Sequence, residues 1–318
     1  MHYRFRLFMI ALLSLSLAWG SAPAFAASNA GKHAVAKKHK HTKSKPRAKK
    51  PLHKAMKEDY SNLRLYSNAA MVLDQSTGAV LFEKNAGAVL PIASITKLMT
   101  AMVALDAQPN LDEILTIDEN DVDLLKGTHS RLKVGTQLSR EEMLRLALMS
   151  SENRAASALS RHYPGDRPAF LAAMNRKAHA LGLQDTQFFD PTGLTARNVS
   201  SARDLVRMVS AAQRYPLIRQ FTTTSEYDVE VDGRVQAFRN TNSLVRSSSW
   251  EIGLSKTGYI NEAGRCLVMQ AWLNKKPTII VLLDSLGKMT RVGDANRIKH
   301  WVENGAAVTS TTQRPSAS

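Results

Sequence analysis

Two lysine amines and two serine hydroxyls in this chain fall into three short strings: Ser94-Ile95-Thr96-Lys97, Ser151-Glu152-Asn153 and Lys256-Thr257-Gly258. A serine hydroxyl is a weak nucleophile until a neighbouring group takes its proton, and a lysine does so once its ammonium is destabilised. In order, the strings supply a nucleophile, two amines able to manage its proton, and a polar rim for a peptide carboxylate. That is the chemistry of serine acyl transfer without a histidine.

Ser-x-x-Lys recurs at Ser285-Leu286-Gly287-Lys288, and context separates the two copies. Ser94 is followed by Ile95, Leu98, Met99, Ala101, Met102, Val103, Ala104 and Leu105, so residues 93–106 read as a buried helix. Ser94 and Lys97 then share one face of its first turn, at a spacing where side chains meet. The second copy follows the strand-like run 278–283, and Gly287 interrupts any helix starting at Ser285. Read alone, Ser94 is a helix-capping serine and Lys97 a solvated lysine. Against that, Lys97 lies inside the apolar run, where desolvation lowers an amine pKa unless carboxylates lie near.

Ser151-Glu152-Asn153 separates two helical patterns, 140–149 and 154–162, and reads as a tight interhelical link; its own bland reading is a capping serine. Lys256-Thr257-Gly258 lies in 253–260, the first strand of a hairpin whose turn is 261–264 and whose partner is 265–273. A glycine inside a strand marks close approach of another backbone or of a ligand.

The ordered set resembles that of the penicillin-recognising serine D,D-peptidases. The spacings of 57 and then 105 residues, with the strings Phe189-Asp190-Pro191-Thr192-Gly193-Leu194 and Asn198-Val199-Ser200-Ser201-Ala202-Arg203-Asp204-Leu205, are similar to the low-molecular-mass D-alanyl-D-alanine carboxypeptidases and endopeptidases. The resemblance covers residues 68–302. It implies that Ser94 attacks the penultimate D-alanine carbonyl, with Lys97 taking its proton. Ser151 would relay a proton to the leaving amine, and Asn153 would hold the substrate amide. Lys256 would add positive potential beside Ser151, Thr257 would contact the substrate carboxylate, and the backbone N–H groups of Ser94 and Tyr259 would form the oxyanion hole. Gly258 completes the third string. Arg291, 35 residues after Lys256, resembles the family arginine that helps hold the terminal carboxylate, with Arg265 a weaker candidate. No metal or other cofactor is implied.

The elements that must position these groups are unevenly distributed. Residues 69–74 and 78–83 flank Gln75-Ser76-Thr77 in a hairpin pattern. Helical periodicity dominates to about residue 214, over 141–148, 154–161, 166–180 and 202–213, the last opening with Ser201 and Asp204 at capping-box spacing. Strands return over 225–284, and a final helix carries Met289, Val292, Ile298 and Val302 on one side. Strands at both ends predict an α/β (α+β) fold, with one mainly antiparallel sheet packed against a helical lobe and the three strings at the seam. The same arrangement is implied by the resemblance, as the penicillin-recognising, β-lactamase-like fold.

Arg4 and Arg6 precede an apolar run over 7–19, and Ala24-Phe25-Ala26 supplies a small-x-small cleavage pattern, so residues 1–26 read as a signal peptide and the protein as periplasmic. The net charge of +16 would suggest nucleic acid, but 13 Lys and Arg fall within residues 1–57, which lack acidic residues. The remainder holds 30 basic against 27 acidic residues. Nucleic acid is therefore not an expected partner. Residues 27–60 cannot bury a core and read as a basic disordered tail, with 32–57 suited to an anionic membrane or cell-wall polymer. Its histidines, His33, His39, His41 and His53, lack metal-ligand spacing. A catalytic domain is expected over 61–304, its helical lobe about 93–222 inserted between sheet segments, followed by a flexible tail over 305–318. The lone cysteine, Cys266, sits among Leu267, Val268 and Met269 and reads as a buried inert thiol.

Three other functions share part of this pattern. A class A β-lactamase needs a deacylating glutamate between the second and third strings, but only Glu226, Glu230 and Glu251 are available there, and no Glu-x-x-Leu-Asn string occurs. A larger D,D-carboxypeptidase, trimming stem pentapeptides, carries a further β-rich domain and an amphipathic anchor, which the short polar segment after residue 304 does not resemble. Residues 256–266 match instead the smaller endopeptidases that cut the D-alanyl-diaminopimelyl cross-link of peptidoglycan, with β-lactams as covalent inhibitors. A catalytically silent wall-binding protein would have no need of Lys97 beside Ser94.

Overall fold

The computed structural model describes residues 63–231 and 233–305. The expected signal peptide, the whole of the basic tail and residues 306–318 lie outside the described residues.

In chain order, the first segment holds β1 (Ser67–Asp74), β2 (Val80–Lys84) and β3 (Leu90–Pro91). A single 3₁₀ turn, Ala93–Thr96, leads into α1 (Lys97–Asp106). There follow β4 (Ile114–Thr116), β5 (Gln137–Ser139), α2 (Arg140–Met149), α3 (Asn153–Arg161) and α4 (Asp166–Ala180). Next come β6 (Val199–Ser200), α5 (Ala202–Ala212), α6 (Pro216–Thr223), β7 (Glu226–Val231) and β8 (Arg234–Arg239). The chain closes with β9 (Ile252–Ile260), β10 (Gly264–Leu273), β11 (Lys276–Ser285) and α7 (Thr290–Glu303).

The main sheet is antiparallel and five-stranded, in the order β2-β1-β11-β10-β9. The strands of the chain's two ends pair directly, Met71 opposite Val281 and Val72 opposite Ile280, as predicted for a sheet assembled around a helical lobe. Both faces are covered. Ile279, Val281 and Leu283 join the core shared with the helical lobe, whereas Ile280 and Leu282 pack with Ala295 and Ile298 of α7 and with Trp250. Alternate side chains of a strand point to opposite faces, so double burial explains why the run 278–283 is apolar throughout instead of alternating. Asp294 of α7 fastens the second layer: its carboxylate accepts from the N–H of Ser67 at 2.7 Å and from the Ser67 hydroxyl at 2.6 Å.

Two features depart from expectation. Residues 93–96 are a 3₁₀ turn ahead of the α-helix, because Ala93 holds a φ of +47° and the chain must swing before the helix can propagate. α6 was not foreseen: it is only eight residues long and ends in Thr222-Thr223, β-branched residues that favour strands. The capping pattern at Ser201 is present in part, its hydroxyl accepting from the N–H of Asp204.

Candidate active site

β9 is one of the two edges of the main sheet, and it runs past the turn that carries Ser94. Gly258 permits this approach. A Cβ there would lie 2.8 Å from the carbonyl oxygen of Ile92 and 3.1 Å from the Ser94 nitrogen, both backbone atoms that cannot yield. From the other side the loop 189–198 packs against the same turn. A Cβ on Gly193 would fall 2.0 Å from the carbonyl oxygen of Ala93, and its φ of +83° suits glycine alone. Asn198 rivets this loop: its Nδ2 donates to Thr96 Oγ1 at 3.1 Å and to the Asp190 carbonyl at 2.9 Å, and its Oδ1 accepts from the Phe189 N–H at 2.7 Å. Asp190 closes the turn, its carboxylate accepting from the N–H groups of Thr192, Gly193 and Thr195.

Within this frame Lys97 is wholly buried, and its Nζ donates to Ser94 Oγ at 2.8 Å, Asn153 Oδ1 at 2.7 Å and the Thr192 carbonyl at 2.7 Å. Three acceptors match the three protons of an ammonium. Burial nevertheless drives the pKa down to about 7, with the nearby carboxylates of Asp190 and Glu152 opposing the shift. Those two acids qualify the expectation drawn from the apolar run: carboxylates do stand near, and desolvation outweighs them. At neutral pH the amine is poised between the donor form and a form that can accept the Ser94 proton.

The second pair lies alongside. The link between α2 and α3 is as short as predicted, and Ser151 adopts a φ of +65°. Lys256 reaches it from β9, Nζ donating to Ser151 Oγ at 2.8 Å and to the Thr257 carbonyl at 3.0 Å. Lys256 is buried, and desolvation, reinforced by the charges of Lys97 and Arg291, holds its pKa well below the usual lysine range. Thr257 bonds to the hydroxyl of Thr241 at 2.6 Å, and Tyr259, exposed, donates its hydroxyl to Asn261. The arrangement gives one hydroxyl to attack, one hydroxyl–lysine pair to pass a proton on, and a strand edge along which a peptide can lie.

Arg291 sits behind the strand, its Nη1 donating to the carbonyls of Gly258 at 3.0 Å and Cys266 at 3.2 Å. Arg265 stacks over the Tyr259 ring, 4.5 Å from its centroid. The second Ser-x-x-Lys copy is dismantled: Ser285 ends β11 and its hydroxyl bonds to Ser67, while Lys288 lies beyond, after a glycine at φ +85°. Cys266 is buried, and desolvation raises its thiol pKa to about 11.

Sequence reasoning missed three partners. The Thr192 carbonyl is a backbone group and carries no side-chain signature, although the Asp190-Pro191-Thr192-Gly193 turn could have marked the loop. Thr128, which accepts from Asn153 Nδ2 at 3.0 Å, and Thr241 lie in irregular segments with no periodic signal.

An antiparallel sheet with a helical lobe, and two serines at their seam each bonded to its own buried lysine, define the penicillin-recognising class of serine acyl-transferring enzymes. Residues 54–287 match the S11 peptidase family, described as D-alanyl-D-alanine carboxypeptidase, and the chain belongs to that family. It is 51% identical over 243 residues to a D-alanyl-D-alanine endopeptidase of Pseudomonas aeruginosa, spanning 76% of this chain and 78% of that one. A D-alanyl-D-alanine endopeptidase of Escherichia coli is 47% identical over 247 residues, 77% of this chain and 80% of that one. Among solved structures, the Streptomyces K15 DD-transpeptidase superposes with a TM-score of 0.70 at 29% identity, covering 75% of this chain and 97% of its own. Penicillin-binding protein D2 of Listeria monocytogenes, in its cefotaxime-bound form, gives 0.67 at 29% identity, covering 76% and 98%.

Proposed function

We propose that this protein is an exported serine D,D-endopeptidase that hydrolyses D-alanyl-diaminopimelyl cross-links of peptidoglycan through an acyl-enzyme on Ser94. The observation that carries the reading is the buried Lys97 amine, 2.8 Å from Ser94 Oγ and near neutrality in pKa. Ser94 Oγ attacks the D-alanyl carbonyl while its proton passes to Lys97. The backbone N–H groups of Ser94 and Tyr259 receive the developing oxyanion; losing one such donor typically costs ~3 kcal/mol in acyl transfer. Ser151, held by Lys256, delivers a proton to the departing side-chain amine of the acceptor strand. Asn153 takes the substrate amide, and Thr257 takes a carboxylate of the leaving portion. Arg291 acts on this rim through the carbonyls it holds. With the Lys97 proton handed on through Ser151 to the amine as the C–N bond breaks, Lys97 is free to take a proton from the water that attacks the ester and to return it to Ser94 Oγ as the C–O bond breaks.

Cross-link cleavage is favoured by the names of the two relatives at 47–51% identity. β-Lactams fit the same site as covalent inhibitors, supported by the cefotaxime-bound neighbour. Periplasmic location rests on the charge and apolar pattern of residues 1–26, and the basic segment 32–57 suits contact with anionic lipid or wall polymer. A second reading, D-alanyl-D-alanine carboxypeptidase, is favoured by the description of the matched family. Purified muropeptides separate the two. The endopeptidase reading expects cross-linked dimers to become monomers without free D-alanine, and no reaction in Ser94→Ala. Release of D-alanine from pentapeptides with dimers left intact would establish the second reading instead.

A further inference from the structure

β9 passes the nucleophile in a fixed direction. Lys256 meets Ser151 first, Gly258 then lies against the Ser94 turn, and the strand ends at the hairpin turn that carries Glu262. If Ser151 serves the leaving amine, the acyl half of the substrate extends from Ser94 toward that hairpin turn. There Lys126 reaches over from the opposite wall, its Nζ 2.5 Å from Glu262 Oε1.

The loop that brings Lys126 is built, not loose. Asp123 accepts from the N–H groups of Leu125, Lys126 and Thr128 and from the Thr128 hydroxyl, and that hydroxyl in turn accepts from Asn153. Asn153 accepts from Lys97, so a chain of hydrogen bonds links the Lys126 loop to the amine beside Ser94. Leu124 and Leu125 beside Lys126 are 91% and 63% exposed, leaving apolar surface on the cleft wall.

Lys126 and Glu262 keep 28% and 44% of their side chains in contact with solvent. A pair so exposed adds little to stability, too little to explain why two opposite charges meet at the end of the site strand. On the endopeptidase reading, the residue preceding the attacked D-alanine is a diaminopimelyl unit whose side chain ends in an ammonium and a carboxylate on one carbon. We propose that Lys126 and Glu262 are specificity residues for this zwitterionic end: Lys126 takes its carboxylate, Glu262 takes its ammonium, and the intramolecular pair is exchanged for two substrate contacts. The exchange conserves charge, and the exposed leucines cover the methylenes of the bound side chain.

The proposal rests on the endopeptidase reading, and its test separates the two. Cleavage is measured on cross-linked dimers and on stem pentapeptides, each with the diaminopimelyl carboxylate free or amidated, for wild type, Lys126→Met, Glu262→Gln and the exchanged pair Lys126→Glu/Glu262→Lys. Wild type is expected to prefer the free carboxylate by about tenfold or more, a size typical of one lost charge-assisted contact. Lys126→Met abolishes that preference, and Glu262→Gln slows both forms alike. The exchanged pair remakes the ion pair yet stays slow on the zwitterionic substrate, with penicillin acylation unchanged in every variant. Full recovery in the exchanged pair, or a preference retained in Lys126→Met, overturns the proposal. Intact dimers with pentapeptides cleaved and the preference retained on them would overturn the endopeptidase reading alone.

Discussion

Burying Lys97 costs the ammonium its hydration, and the three acceptors around it return only part of that loss. On the proposed mechanism, the consequence for rate is a proton acceptor at neutral pH. Penicillin acylation should rise with pH through an inflection near 7, with about a tenth of the plateau rate at pH 6. Lys97→Ala should lower acylation by 10²–10⁴-fold, the usual worth of a general base, as read by stopped-flow labelling. The consequence for stability has a definite sign. Below pH 7 the amine is charged in both folded and unfolded chains and the native state bears the full penalty. Between about 7 and the ordinary lysine value of 10.5 the unfolded chain holds a proton that the folded one lacks, so stability rises with pH across that window. Lys97→Met should therefore gain most in Tm relative to wild type below pH 7, the difference shrinking toward pH 10. A difference independent of pH would contradict the assigned cause.

At the scale of elements, catalysis depends on how near β9 can come to the Ser94 turn. Gly258→Ala inserts a methyl against two backbone atoms, so the strand must retreat. A misplacement of about 1 Å at a reacting centre costs on the order of 10²-fold. Penicillin acylation should fall by that order while far-ultraviolet dichroism stays native; unchanged acylation would show that the approach is unimportant. α5 was legible in the sequence because its apolar residues recur on one buried face, and β10 because its run is apolar throughout, burial on both sides of the sheet leaving no alternation. α6 was not, since its threonines carry strand propensity that tertiary packing of Ile218 and Phe221 overrides. For the site, side chains in motifs were readable: Ser94, Lys97, Ser151, Asn153 and Lys256 come together as expected. The Thr192 carbonyl and the Thr128 and Thr241 hydroxyls were not, because their roles arise from loop geometry alone.

Across the whole molecule, charge and chemistry are segregated along the chain. The 13 basic residues of 1–57 stand apart from a remainder that is nearly balanced. A variant beginning at residue 61 should acylate with penicillin within about twofold of the wild-type rate, since it keeps every residue assigned to the site. The same variant should lose salt-sensitive sedimentation with anionic vesicles or isolated cell wall, each lysine near such a surface contributing about 1 kcal/mol. Equal sedimentation by the two proteins would place the attraction on the folded domain instead. The central claim, however, is a covalent bond on one oxygen. Peptide mapping by mass spectrometry after exposure to penicillin tests it most directly: the added mass should sit on Ser94 and vanish in Ser94→Ala, whereas an adduct on Ser151 or Ser285, or none at all, would contradict the account.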